Sequence, residues 1–303
     1  MSEIRVDTIS EKTSANGVSI DGLTIKDGGI TATTGTIVFN EASADVDFRV
    51  ESNGNTHMLF VDGGNNRVGI GTTPDLGAGL HIRTADTGGS SNNEADELVL
   101  EQNAACGLTI LSANNAAGNI FFGDAQDNDV GRIIYNHNNN NMSFRSNATE
   151  FLRADEDGHV TMPKQPSFKG QPSSQQNNLS VNAWNTIVFG TEAYDTNADF
   201  GNSLFTAPVT GRYILTVNLY LQDIDSAATS ITCELHTSND DYPVFVTLPG
   251  VDFNADMGFR AFNGAVLADM DANDTATVRV YPEGGAAQTD VNVSSTYSGM
   301  LIG

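Results

Sequence analysis

Asp269, Asp271 and Asn273 alternate as the first ligands of a calcium loop do, and oxygen donors at that spacing would suit a hard cation. The pattern then stops: Asp274 stands where such a loop turns on glycine, and Val280 where a bidentate glutamate would close it, so the run reads as a turn. Gly69-Ile70-Gly71 follows an apolar run but opens no helix, and nothing nearby resembles a lysine-bearing phosphate loop. His57, His81, His137, His159 and His236 are scattered without metal-ligand spacing, and none pairs with a serine or cysteine nucleophile. Cys106 and Cys233 fit neither a metal knuckle nor a redox pair and are expected to be buried free thiols.

Acidity is the one chemical trait that stands out. In 303 residues, 38 Asp and Glu against 14 Lys and Arg give a net charge of −24, which repels phosphate backbones and excludes nucleic-acid binding through a basic surface. Glycoside cleavage needs only two carboxylates about 5–10 Å apart in a groove, so abundant acids keep an enzymatic alternative open. The chain nevertheless lacks room for the long β-helix that polysaccharide-cleaving spikes usually carry, and the expectation is that it is not an enzyme. Met1–Asp7 has no apolar signal-peptide core and no run of 18 apolar residues occurs, so the expectation is a chain made in a cytoplasm without membrane insertion.

The elements that must position any site are strands. From Tyr213, residues alternate as Tyr213, Leu215, Val217, Leu219 and Leu221 on one side and Ile214, Thr216, Asn218 and Tyr220 on the other, a period of two after a turn set by Pro208 and Gly211. Residues 168–303 read as one antiparallel β domain, with strands expected near 211–222, 231–237, 243–248, 258–267, 275–281 and 293–302. Trp184 and Phe205 are expected in its core.

The chain before it is thinner. Residues 1–46 are punctuated by Asn16-Gly17, Asp21-Gly22 and Asp27-Gly28-Gly29 between three-residue apolar alternations. Residues 47–167 hold a weak repeat of strand, strand, glycine turn and strand, seen in Phe48 to Ile70 and again in Phe144 to Met162. Between them Leu98–Leu100, Leu108–Leu111, Ile120–Phe122 and Arg132–Tyr135 read as further strands, and Asn136–Asn141 as a solvated hairpin loop. Such short strands cannot offset an ordering cost of ~1–2 kcal/mol per residue within one chain, whereas several chains wound together could. Pro163, Pro166 and Pro172 mark a neck.

Three resemblances sharpen this. Trp184–Phe189, Tyr194-Asp195 and Phe205–Pro208 with Gly211 and Tyr213, together with Ala265–Met270, Asp274, Val278 and Ser295–Ile302, resemble the complement-type globular head of the tumour-necrosis-factor-like jelly rolls, over about 120 residues. Ile4–Ser10, Gly17–Gly22 and Lys26–Ile30 resemble the opening of tail fibres of tailed bacteriophages, where that segment joins the fibre to the virion. Phe60–Gly64 with Arg67–Thr72 resembles the hairpin repeats of phage fibre shafts, which stack as trimeric β-prisms or triple β-helices.

Together these imply an all-β, elongated homotrimer: a virion-attachment segment over 1–46, an intertwined β shaft and neck over 47–167, and a jelly-roll head over 168–303. The implied role is a virion tail fibre, assembled in the host cytoplasm, that docks on a tail protein and recognises a host-surface polysaccharide or protein receptor with its head. The alternatives are a polysaccharide-cleaving tailspike and a purely structural fibre bridging virion proteins. If the closing strand runs back toward the shaft, as the resemblance implies, the loops over 223–230, 249–257 and 282–292 form the far tip. That tip gathers Asp223, Asp225, Asp252, Asp256, Glu283 and Asp290 as candidate receptor-binding residues. No cofactor is expected, though calcium is the cation such carboxylates could share. Tyr297 and Leu301 are expected near the threefold axis.

Overall fold

The structure is a computed structural model that describes the backbone of residues 23–26 and 29–32, Phe39, and residues 45–303. Most of the attachment segment expected over 1–46 therefore lies outside the described residues. The chain packs as two units, 1–109 and 110–303, which divide inside the segment read as shaft.

In the first unit β1 (Leu23–Lys26) and β2 (Gly29–Ala32) pair antiparallel. A second sheet runs in chain order through β3 (Phe48–Val50), β4 (Leu59–Asp62), β5 (Arg67–Ile70), β6 (Leu80–Arg83) and β7 (Leu98–Glu101). The β4–β5 hairpin is closed by Asp62, whose carboxylate accepts the Asn65 backbone N–H at 2.8 Å, with Asn66 left-handed at φ 57°. Repeats of hairpins lead one to expect antiparallel pairing throughout, but β5–β6 and β6–β7 are parallel, because the loops after Ile70 and Arg83 are long enough to cross over. Phe60 and Pro74 are the only buried apolar side chains among the described residues of this unit.

The second unit opens with a meander of β8 (Ala117–Phe122), β9 (Gly131–Asn136), β10 (Asn141–Ser146), β11 (Thr149–Ala154) and β12 (Val160–Thr161), each antiparallel to the next. The loop over 137–140 is the asparagine turn read from the sequence. Leu108–Leu111 forms no strand, and Leu111 is 91% exposed. None of the apolar side chains from Ile110 to Pro163 is buried.

The rest of the unit is a two-sheet sandwich. Its strands are β13 (Ser167–Gln171), β14 (Asn185–Thr186), β15 (Thr191–Asp195), β16 (Phe200–Gly201), β17 (Leu204–Thr206), β18 (Gly211–Ile224), β19 (Ser230–Thr237), β20 (Asp241–Thr247), β21 (Met257–Met270), β22 (Thr275–Glu283), β23 (Asp290–Val291) and β24 (Thr296–Leu301). One sheet has the order β15-β13-β24-β18-β21 and the other β16-β17-β22-β19-β20, so the chain switches sheets between β17 and β18, β18 and β19, β20 and β21, β21 and β22, and β22 and β24. That alternation is a jelly roll, and it follows from the head's own strand order.

The period-two reading of β18 holds along its length. Tyr213, Leu215, Val217, Leu219 and Leu221 are all buried, while Arg212, Ile214, Thr216, Asn218 and Tyr220 face away. Inward residues of the facing sheet, Ile231, Cys233 and Leu235 from β19 and Ala276, Val278 and Val280 from β22, complete one core with Phe168, Phe189, Phe200 and Phe205. Gly299 in β24 is fixed by this packing, since a Cβ there would lie 2.6 Å from Leu215 Cδ2 and 2.7 Å from Phe168 Cε1.

Two expected placements are corrected by this core. Tyr297 is fully buried inside its own sandwich, edge-on to Phe168 at 4.9 Å, so it does not present its side chain at a threefold axis. Trp184 is not in the core but 43% exposed, because it precedes the edge strand β14 in the position facing outward-pointing Tyr281. Leu301 is half-buried, with its Cδ1 against Gly211.

Candidate functional site

The strand register assigns the loops to ends. Gly211 pairs with Met270 and Ile224 with Met257 along β18 and β21, while Tyr213 pairs with Leu301 of the closing strand. The Leu301 backbone N–H donates to the Pro166 carbonyl at 3.0 Å, so the chain enters and leaves the head beside Gly211. The loops that follow Ile224, precede Met257 and follow Glu283 therefore share the opposite end.

Carboxylates knit those loops together. Asp256 accepts the Ser226 backbone N–H at 2.9 Å and hydroxyl at 2.7 Å on one oxygen, and the Gln288 amide at 3.1 Å on the other, joining all three loops. Asp225, buried, accepts the Ala227 N–H at 2.8 Å and also the Ala286 N–H, reached through left-handed Gly284 and Gly285 at φ 69° and 71°. Asp290 accepts the Gln175 amide and the Asn178 N–H, both at 2.7 Å, tying the tip to the segment before β14. Glu283 accepts the Ser230 hydroxyl at 2.9 Å, and Asp252 the Thr247 hydroxyl at 2.8 Å and the Leu248 N–H at 2.9 Å.

Backbone N–H donors, of Leu248 to Asp252 and Ser226 to Asp256, are the main reason both carboxyls sit below the ordinary carboxylate range. Each accepted bond uses an oxygen lone pair that a cation would otherwise need. Asp223, in left-handed backbone at φ 48°, borders with Asp256 and Asp290 an open basin of about 370 Å³. Five of the six predicted tip residues thus hold the loops in shape, and the surface they offer is the loop backbone and rim.

At the opposite end Asp274 confirms the turn read at 269–274: it accepts the Asp271 N–H at 2.7 Å, the Ser238 hydroxyl at 2.8 Å and the Asn239 amide. Among the cysteines, Cys233 is buried and its thiol is pushed up by burial, whereas Cys106 is exposed, a correction that follows from its place in an irregular segment after β7.

Sequence spacing missed two clusters. In the first unit His81, fully buried, has Nε2 2.9 Å from Glu101 and Nδ1 3.3 Å from Asp75. The Glu101 carboxyl is held at about 2, chiefly by the Thr87 backbone N–H and then by the Thr87 hydroxyl and His81. These residues are adjacent only because β6 and β7 pair in parallel, with His81 opposite Val99 and Arg83 opposite Glu101, a relationship that sequence distance conceals. On the solvent-facing side of the sheet β16-β17-β22-β19-β20, Arg279 bonds both Glu234 and Asp241 and stacks on Trp184. The signal for it was Arg279 and Tyr281 lying two apart on a strand whose intervening Val280 is buried.

No known protein family matches the chain, and no curated protein matches it. Among solved structures, the globular domain of zebrafish complement 1qA protein aligns at 16% identity with a TM-score of 0.33, over 46% of this chain and 98% of that one. Murine APRIL at pH 8.0 aligns at 9% identity and a TM-score of 0.34, over 46% and 100%. The Eiger TNF of S. frugiperda aligns at 16% identity and 0.34, over 46% and 92%.

Proposed function

We propose that this chain is a homotrimeric fibre of the tailed-phage type, joined to the virion near its N-terminus, whose head meets the host surface with the end that carries the three loops. The observation that supports this best is the placement of the loops over 223–230, 249–257 and 282–292 together, at the end of the sandwich opposite Pro166 and Leu301, on a rigid frame. Binding loops held on a packed scaffold are the usual way such a frame is used. Assembly from several copies is supported by the scarcity of core before the head: apolar side chains such as Val61, Ile120, Tyr135 and Met142 are more than a third exposed in the single chain, and neighbouring chains would cover them.

The reading is one of binding rather than cleavage, and its support is that five of the six tip carboxylates are engaged as loop staples. Replacing the exposed residues of the three loops with Gly and Ser in the full chain, with buried Ile224, Ala228, Phe253 and Val291 kept, is expected to abolish attachment to host cells while leaving the assembly and the head folded. Undiminished attachment would place recognition elsewhere, and shortened surface polysaccharide after incubation with the intact protein would restore the enzymatic alternative.

A further inference from the structure

The outer face of the sheet β16-β17-β22-β19-β20 carries the chain's one tryptophan, and it is 43% exposed. The burial of Val280 turns Arg279 and Tyr281 outward together, and pairing of Asn185 with Val280 sets Trp184 beside Tyr281, with ring centroids 5.2 Å apart. The Arg279 guanidinium lies 4.5 Å from the centre of the indole and also bonds Glu234 and Asp241, the latter at 2.9 Å. His236 Nδ1 completes the row at 2.5 Å from the other Asp241 oxygen.

Three features of this cluster select a ligand class. Arg279 already bonds both carboxylates of the group Glu234, His236 and Asp241, and His236 takes the other Asp241 oxygen, so the atoms a cation would need are engaged and the row is not a metal site in waiting. Two adjoining aromatic rings match one or two sugar rings in size, far below the ~800 Å² per partner of a stable protein interface. Half-exposed Asp241, bonded at 2.9 Å to the Arg279 guanidinium that lies over the indole, offers an acceptor oxygen beyond Arg279, with His236 further along the same row. Charge decides between sugars, because a chain of net charge −24 repels uronic and sialic acids.

We propose that Trp184 and Tyr281, flanked by Arg279, Asp241 and His236, form a shallow saccharide platform on the flank of the head that takes a neutral hexose ring. This rests on reading the head as the host-facing module, and it adds a second contact beside the tip loops.

The test uses the full-length protein on an immobilised panel of maltohexaose, mannohexaose, cellohexaose and chitohexaose, with alginate and hyaluronan as acidic arms, and attachment to bacterial cells measured in parallel. The expected result is retention on at least one neutral oligosaccharide and on neither acidic polymer. Trp184→Ala should weaken that retention by about tenfold or more and Trp184→Phe should restore most of it. Trp184 is the only indole, so the bound oligosaccharide should also shift its emission to the blue in solution. Retention unchanged in Trp184→Ala, retention on the acidic polymers alone, or retention on no glycan by a protein that still attaches to cells would each overturn the platform and leave the host-facing reading standing. Trp184-dependent retention without attachment to any cell would support the platform and count against the host-facing reading.

Discussion

Phe168 of β13 and Phe205 of β17 stack with ring centroids 4.7 Å apart and planes inclined by 17°, so the first strand of one sheet is locked to an early strand of the other. Phe205 also meets Tyr213 at 5.3 Å, and the Tyr213 hydroxyl donates to the Val209 carbonyl at 2.7 Å, which closes the corner where the chain passes from β17 into β18. Phe205→Ala is expected to destabilise the head by roughly 3–5 kcal/mol. Denaturant unfolding of the intact protein followed by Trp184 emission checks it, and a loss below about 1 kcal/mol would contradict the packing.

Tyr297 offers a sharper case, because its hydroxyl is buried without a hydrogen-bond partner and burial raises its pKa. Removing an orphaned buried hydroxyl relieves about 1 kcal/mol or more, so Tyr297→Phe should leave the head as stable as before or more stable. Tyr297→Asp should unfold the head rather than release folded monomers, because a charge there has no partner. Sedimentation and circular dichroism of both variants separate the two outcomes.

Acid should loosen the head. Asp241, Asp252, Asp256 and Asp274 sit below their ordinary range, chiefly through the His236 ring for Asp241 and backbone N–H donors for the other three. A carboxylate whose folded pKa is depressed stabilises the fold above its unfolded value of ~3.9, and that contribution is lost as the pH falls through the folded value. Asp199 runs the other way, since burial raises it and its ionisation weakens the fold as the pH rises through its folded value. With four depressed and one raised, the thermal midpoint should hold steady from about pH 7 to 5 and drop below about pH 4. Asp252→Asn with Asp256→Asn should flatten that drop; an unchanged profile in the double variant would remove these two from the account.

In the first unit, Glu101→Gln should lower thermal stability more than Glu51→Gln does. Glu101 accepts two bonds from Thr87 and one from buried His81, whereas Glu51 makes an exposed pair with Arg49. The stabilisation from Glu101 should persist above its ordinary value and be lost as the pH falls toward about 2. Equal effects of the two substitutions would mean the parallel β6–β7 pairing is not what holds this sheet.

Three copies would carry a formal charge of 3 × −24 = −72. The assembly should therefore loosen at very low ionic strength, where screening reaches ~30 Å at 0.01 M, and tighten with added salt. Light scattering across a salt series checks both the copy number and the trend, and a single-chain mass in ordinary buffer would refute the trimer.

Local alternation made the head's strands legible. The expected runs near 211–222, 231–237, 258–267 and 275–281 differ from β18, β19, β21 and β22 only by a few residues at their ends, because a half-buried strand must alternate and turn residues must punctuate it. The grouping of the three tip loops was legible for the same reason, since antiparallel strands alternate their ends. The roles of the tip carboxylates were not: whether Asp225 or Asp256 faces outward or bonds the next loop depends on where Ala286 and Ser226 come to lie, residues 61 and 30 positions away.

Tertiary structure alone decided the rest. Alternation shows that Tyr297 points to one side of β24, but not whether that side faces a second sheet or a second chain; only the rings of Phe168, Phe189 and Phe200 packed around it show that it lies within its own sandwich. Trp184 is apolar enough for the core and was expected there, yet the register of a two-residue edge strand turned it outward beside Tyr281 and under Arg279. His81 and Glu101 stand 20 positions apart and meet because two parallel strands carry them to one side of a sheet. Sequence patterns encode which side of an element is apolar, a property of neighbours in the chain, whereas a site is made of neighbours in space, and their identity is set by how strands pair and sheets close.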